Sequence, residues 1–221
     1  MARRPLTRER ILTAALRLAD ESGIEALSMR KLGQTLGYEA MSLYNHVAKK
    51  DDLIDGILDL VLAEAEDLSP EGPWDKAIRS SALSVHRALR AHPWACELLL
   101  SGRHISPGRL RYMDALLGRL RGAGFSADTT YHAYHVLDAH IFGFSLWQAG
   151  HASGGMSMED VRPLLERIIP ADVYPHLHEH GEQHFTPGPH QDVSAFEYGL
   201  DLIVDGLKRK VSISPRSVRR R

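Results

Sequence analysis

A chain of 221 residues, 43% hydrophobic and 25% charged, can bury one large core or two small ones. Its single cysteine, Cys96, excludes a disulfide framework and a cysteine-based zinc site, and no apolar run approaches the ~20 residues of a membrane span. The net charge of -1 hides an asymmetry: residues 1–50 hold nine Lys/Arg and five Asp/Glu, residues 51–206 eleven and twenty-three, and residues 207–221 seven and none.

The N-terminus, MARRPLTRER, is basic, but polar helix sequence follows where a secretion signal would be apolar, so a soluble cytoplasmic chain is expected. Thr7 can cap a first helix to Asp20, closed by Gly23. Ser28 can cap a second helix, which Gly37 breaks, and a short third helix covers about Glu39 to His46. Asp51 and Asp52 open a fourth, to about Leu68, before the turn residues Ser69, Pro70, Gly72 and Pro73. Further helices are predicted over Trp74–Ala91, Trp94–Ser101, from Ser106-Pro107 to Gly122 or Gly124, over Ala127–Ala149 and over Val161–Ile169. Gly150 to Gly155 reads as a break and Pro170–His190 as a loop. Asp192 then caps a final helix to about Lys210. No alternating strand pattern appears, so the class is all-α.

The residues fall into three parts: a head over 1–50, a body over 51–210 with the fourth helix bridging, and a basic tail over 211–221 that reads as a disordered end. In the head, the third helix hides Leu43 and shows Ala40, Met41, Ser42, Tyr44, Asn45 and His46. So short and polar a helix is not stable alone. It makes sense held by its neighbours and laid in a DNA major groove, with the acidic body kept off the phosphates.

The string G-I-E-A-L-S-M-R-K-L-G-Q-T-L-G-Y-E-A-M-S-L-Y-N-H-V-A-K-K, residues 23–50, resembles the tetracycline-repressor (TetR) family, with L-Y-x-H-V and a following lysine as its most specific part. Trp74, G-F-S at Gly124–Ser126 and F-E-Y-G-L-D-L-I-V-D-G-L at 196–207 resemble the ligand-binding domain of its tetracycline-responsive members. The resemblance implies that Arg30 reads a base edge and that Ala40, Met41 and Ser42 form the base-facing tip. It implies that Tyr44, Asn45, His46 and Lys50, with Ser28, hold phosphates. Ala40-Met41 stands where tetracycline-responsive members carry Gln-Pro, so a different operator is expected.

The resemblance further implies a homodimer through the helices over about 127–149 and 192–210, a near-palindromic double-stranded DNA operator and a small-molecule effector. It places the effector pocket near Leu62, Glu66, Ser81, Val85, Leu99, Leu116, Leu117, Tyr131, Tyr134, His135 and Asp138. Glu66 and Ser81 replace the drug-holding His and Asn, Leu99 the metal-holding His, and Leu116 a Gln. The expected effector is therefore apolar or aromatic and not Mg-tetracycline, with Glu66, His135 and Asp138 as polar handles. No cofactor is expected.

Two other readings stay open. His176, His178, His180 and His184 have a spacing that can ligate Zn or Ni, against a plain solvated loop, and His132, His135 and Asp138 form a second such group. Either would suit a metal-sensing repressor. A helical enzyme or scaffold is the other class, but the chain carries no G-x-S-x-G, Walker loop, H-E-x-x-H or Rossmann glycine pattern.

Overall fold

The computed structural model describes residues 5–65, 68, 71–152, 158–186, 188–189 and 192–213, which are helical throughout with no strand among them. Helix α1 (Arg8–Ser22) starts where the Thr7 hydroxyl accepts the Arg10 N–H at 3.3 Å. A 3-10 turn (Ile24–Ala26) leads to α2 (Met29–Leu36), α3 (Ala40–Leu43) and α4 (Lys50–Ala63). Then come α5 (Trp74–Ala91), α6 (Trp94–Leu100), α7 (Pro107–Gly122), α8 (Ala127–Asp138), a π-turn (Ala139–Gly143), α9 (Phe144–Ala152), α10 (Met158–Ile168), α11 (Pro175–Gln183) and α12 (Ala195–Ile213).

The apolar faces build two cores. The first gathers Ile11, Leu18, Leu32, Leu43 and Val47 around Leu53 and Ile57 of α4. The second packs Leu58 and Val61 of α4 with Ile78, Val85, Leu116, Leu137, Phe142, Phe196 and Leu200. Helix α4 thus gives Leu53 and Ile57 to the first core and Ile54, Leu58 and Val61, on the neighbouring face, to the second. Residues three and four apart on two adjacent faces of one helix join the head to the body.

Several boundaries differ from expectation. Helix α4 stops at Ala63; Ser69 and Pro70 lie outside the described residues, as does the tail beyond Ile213. The third helix is only Ala40–Leu43, and the chain turns through Tyr44–His46, where the His46 N–H closes on Leu43 O. The helix expected over 127–149 runs on to Ala152 with a π-turn inside it, so Gly150 is helical rather than a break. The expected loop over 170–190 contains α11: Pro175 supplies the first turn, where its missing N–H costs nothing. The final helix is capped by Ser194, whose hydroxyl accepts the Glu197 N–H at 3.1 Å, rather than by Asp192.

His86 lies inside the second core, stacked on Phe196 at 3.8 Å, with Nδ1 2.8 Å from the Ser145 hydroxyl. Burial, with Arg90 and His140 nearby, pushes its pKa down to about 4. The folded pKa lies below the unfolded one. Stability from the neutral ring is therefore full above pH ~6.5 and lost as pH falls towards 4, on the order of 3 kcal/mol. Thermal melting of wild type against His86→Gln over this window should show the steeper acid loss in wild type; parallel curves would remove the role.

Candidate nucleic-acid interface and effector core

The head begins with the α2–α3 turn. The Ser28 hydroxyl accepts the Lys31 N–H at 3.2 Å and so fixes the start of α2. Gly37, at φ 74, ends the helix in the left-handed region, and the Tyr38 N–H returns to Gly33 O at 2.8 Å. Gly33 is there for closeness: a Cβ on it would lie 2.7 Å from Tyr38 O and 3.2 Å from Ala40 N. Leu43 and Val47 are fully buried and hold α3 down. Of the residues expected to touch DNA, Ser28, Arg30, Met41, Tyr44, Asn45 and Lys50 are exposed, and Ala40, Ser42 and His46 are half-buried. Met41, at 73% exposure, stands out most at the tip.

A clamp that the sequence did not reveal holds this surface. Arg8 on α1 makes two bonds to the Asp52 carboxylate, at 2.8 and 3.0 Å, and donates to His46 O at 3.2 Å. Asp52 also accepts the Ala48 N–H at 2.9 Å. The hydrogen bonds with Arg8 hold the Asp52 carboxyl below its ordinary pKa. The end of the reading segment is thereby tied to the first turns of α1 and α4. No sequence spacing links positions 44 residues apart. Asp52→Ala should weaken operator binding several-fold in a fluorescence anisotropy titration while lowering stability by only ~1 kcal/mol, since the pair is partly exposed.

A second joint lies at the other end of α1. The His92 ring, 7% exposed at the end of α5, bonds Asp20 Oδ1 through Nδ1 at 2.7 Å and Glu64 through Nε2 at 3.1 Å. Trp94 Nε1 donates to the same Asp20 oxygen at 2.8 Å. Burial works against the charged ring, but the two carboxylates outweigh it and raise its pKa.

In the body the expected pocket residues divide. Ser81, Val85, Leu99, Leu116 and Tyr134 are buried in the second core, with Leu62 and Leu117 packed against it. Tyr131 and His135 turn away from that core: both are exposed, and the His135 ring bonds back to Tyr131 O at 2.7 Å. Glu66 lies outside the described residues. Asp138 faces inward, but its partner was missed. Arg109 Nη2 donates to it at 2.6 Å, with the guanidinium 4.2 Å over the Phe142 ring and 5.9 Å from Tyr112. Burial raises the pKa of both the Tyr112 and Tyr134 hydroxyls, keeping them neutral. Two bonds tie the chain around the start of α7 to α4: the Gly108 N–H to Asp59 at 2.8 Å and the His104 ring to Asp55 at 2.8 Å.

The histidine readings change. His176, His178, His180 and His184 sit on or at the end of α11 rather than on a loop, and the His178 ring is spent on Ile169 O. His135 is bonded to its own helix, and Asp138 belongs to Arg109. Among the described residues no group of three or more His, Cys, Asp or Glu is placed to hold a metal ion. No helix among them is long and apolar enough to cross a membrane.

An exposed, polar helix pair joined at a tight glycine turn and set on an acidic helical body has the arrangement of a helix-turn-helix DNA-binding regulator. Residues 11–57 match the family of tetR-type bacterial regulatory proteins, and residues 67–211 the tetracycline repressor-like C-terminal domain. The chain is 31% identical to the HTH-type transcriptional repressor DrrR1 of Streptomyces coeruleorubidus, over 92% of this chain and 77% of that one. It is 30% identical to the class A tetracycline repressor protein from transposon 1721 of Escherichia coli, over 90% and 89%. The TetR family protein ActR of Streptomyces coelicolor, solved in complex with actinorhodin, aligns at a TM-score of 0.75 and 28% identity, over 94% and 99% of the two chains. The chain therefore belongs to the TetR family of transcriptional regulators. Members of this family bind DNA operators and small-molecule effectors and act as dimers.

Proposed function

We propose that the protein is a homodimeric repressor that holds a near-palindromic operator and leaves it when a small molecule other than Mg-tetracycline enters the body. The observation that carries the reading is this surface: Met41 is exposed on a four-residue helix whose only buried residue is Leu43, and Tyr44 and Asn45 are exposed in the turn that follows. No core needs those side chains outward; a DNA groove does. Arg30 and the tip residues Ala40, Met41 and Ser42 would read base edges, and Ser28, Tyr44, Asn45, His46 and Lys50 would hold phosphates. The similarity to proteins named as repressors supports the sign of regulation.

The dimer reading rests on an uncovered apolar face. Val136 of α8 and Tyr198 and Leu202 of α12 are at least half exposed. A groove of about 500 Å³ runs between the two helices, bordered by His132, Val136, Leu202, Ile203 and Leu207. A second copy of the same pair of helices would cover it as a four-helix bundle. Release would follow if effector binding favours a dimer with its heads mis-spaced for successive major grooves. The bonds from His104 and Gly108 to α4 and from α4 to Arg8 supply a continuous mechanical connection from body to head.

The direct test is affinity capture of genomic DNA fragments, then anisotropy titration of the enriched site. Arg30→Ala should weaken specific binding by ~1–3 kcal/mol and leave scrambled DNA nearly unchanged. Equal loss on both would refute base reading by Arg30, and no enriched fragment would refute the regulator's operator binding.

A further inference from the structure

We propose that His92 is a proton-operated latch between head and body: the charged ring locks the reading segment for DNA, and loss of its proton loosens that segment and weakens operator binding. The operator half of the proposal rests on reading the protein as a DNA-binding regulator. The geometry requires the charge. His92 is buried, and its two ring nitrogens face two different carboxylates: Nδ1 lies 2.7 Å from Asp20 Oδ1, and Nε2 lies 3.1 Å from both Glu64 oxygens. An ionised carboxylate only accepts, so each bond needs an N–H on the ring, and only the imidazolium has two. The backbone holds the ring in place, since the His92 N–H bonds Ala88 O and its carbonyl accepts the Ala95 N–H, both at 3.0 Å. Among the described residues, Asp20 of α1 and Glu64 after α4 are the charged groups that act on the ring, and Trp94 of α6 packs edge-on beside it.

Burial opposes the charge, but the bonds to Asp20 and Glu64 overcome it, so the ring titrates above its ordinary value of about 6.5. The latch is closed below pH ~6.5 and opens as pH rises through the higher folded value. A neutral ring keeps one N–H and turns a bare lone pair to the other carboxylate. Asp20 holds the shorter bond and also accepts the Trp94 indole N–H at 2.8 Å. Glu64 is the more exposed, its side chain at 47% against 31%, so Glu64 is the one released to water. Asp20 and Glu64 stand at one end of α1 and α4, and the opposite ends of the same helices carry Arg8 and Asp52, the clamp on the reading segment. With the latch closed, the two helices are pinned together at both ends. With it open, the end of α4 leaves the α5–α6 corner, and only packing and the Arg8 clamp hold the spacing that aims the tip.

The test uses the full-length protein and two readouts between pH ~6.5 and ~9: anisotropy titration of the captured operator, and the Cε1–H NMR signal of His92, identified by its absence in His92→Gln. Wild-type affinity should fall by about fivefold or more as the His92 signal titrates, with a midpoint above ~6.5. Glu64→Gln should remove that fall, because the amide donates to the bare Nε2 of a neutral ring and accepts from the charged one. Glu64 is exposed, so the exchange leaves the fold intact. Its change of charge shifts affinity at every pH and does not follow the His92 midpoint. A His92 midpoint at or below ~6.5, a wild-type affinity that does not follow the midpoint, or wild-type and Glu64→Gln profiles that fall in parallel overturns the proposal. A raised midpoint in a protein that captures no DNA at any pH leaves the latch standing as a joint of the fold and removes the regulator reading instead.

Discussion

Leu202→Glu should turn the protein into a monomer and lower its affinity for a two-half-site operator by at least a hundredfold. Leu202 is 58% exposed, so within one protomer the change disturbs little. In the proposed dimer the partner's helices cover this position, and a carboxylate buried there carries a desolvation cost. The loss on DNA is large because two joined heads bind with an effective concentration that raises avidity by ~10²–10⁴, and a monomer has none of it. A two-fold dimer sets its reading helices ~34–36 Å apart, one turn of DNA. Sedimentation velocity with an anisotropy titration checks both halves. A variant that stays dimeric, or a monomer that keeps full operator affinity, would contradict the assignment of α8 and α12.

Gly33→Ala should cost the operator complex about tenfold or more while the body stays folded. Two effects compete at this position. Alanine is the better helix former, by ~1 kcal/mol. Against that, its Cβ would sit 2.7 Å from Tyr38 O and 3.2 Å from Ala40 N, and both neighbours are backbone, which cannot swing aside. Overpacking of this kind costs ~1–3 kcal/mol, so the steric term wins. The strain is relieved by moving α3 away from α2, and α3 carries Met41 to the tip. A melting point lowered by ~2–6 °C with a displaced tip is the expected pair of results. Wild-type affinity in the Gly33→Ala protein would show that the closeness of the two helices is not needed for reading.

Where the chain writes its structure locally, the sequence is readable. Thr7, Ser28 and Pro107 each mark a helix start by chemistry that acts within four residues, and each stands at one. Leu43 was legible as the apolar anchor by which so short a helix is held against its neighbours. The π-turn at Ala139–Gly143 was not, because one extra residue in a turn changes no residue type and leaves an apolar stretch apolar. Helix α11 was hidden by composition: proline and glycine counted as loop formers, although Pro175 sits where a helix tolerates it. Long-range pairs were the least visible. Arg8 with Asp52 and Arg109 with Asp138 join residues that no periodicity connects, and a charged side chain is expected outside until a partner is seen. Tyr131 and His135 were placed by resemblance at pocket positions, and the outward turn of α8 there puts them on the surface.

The His92 joint bears on how separable the head is. Asp20 comes from α1, Glu64 follows α4, and His92 and Trp94 come from the α5–α6 corner. A chimera that grafts this DNA-reading segment onto another member's body would strand Asp20 unless the recipient brings a histidine and an indole to the same corner. Modularity in such a protein is set at four side chains rather than at a linker, and exchange of operator specificity should succeed by changing the tip alone.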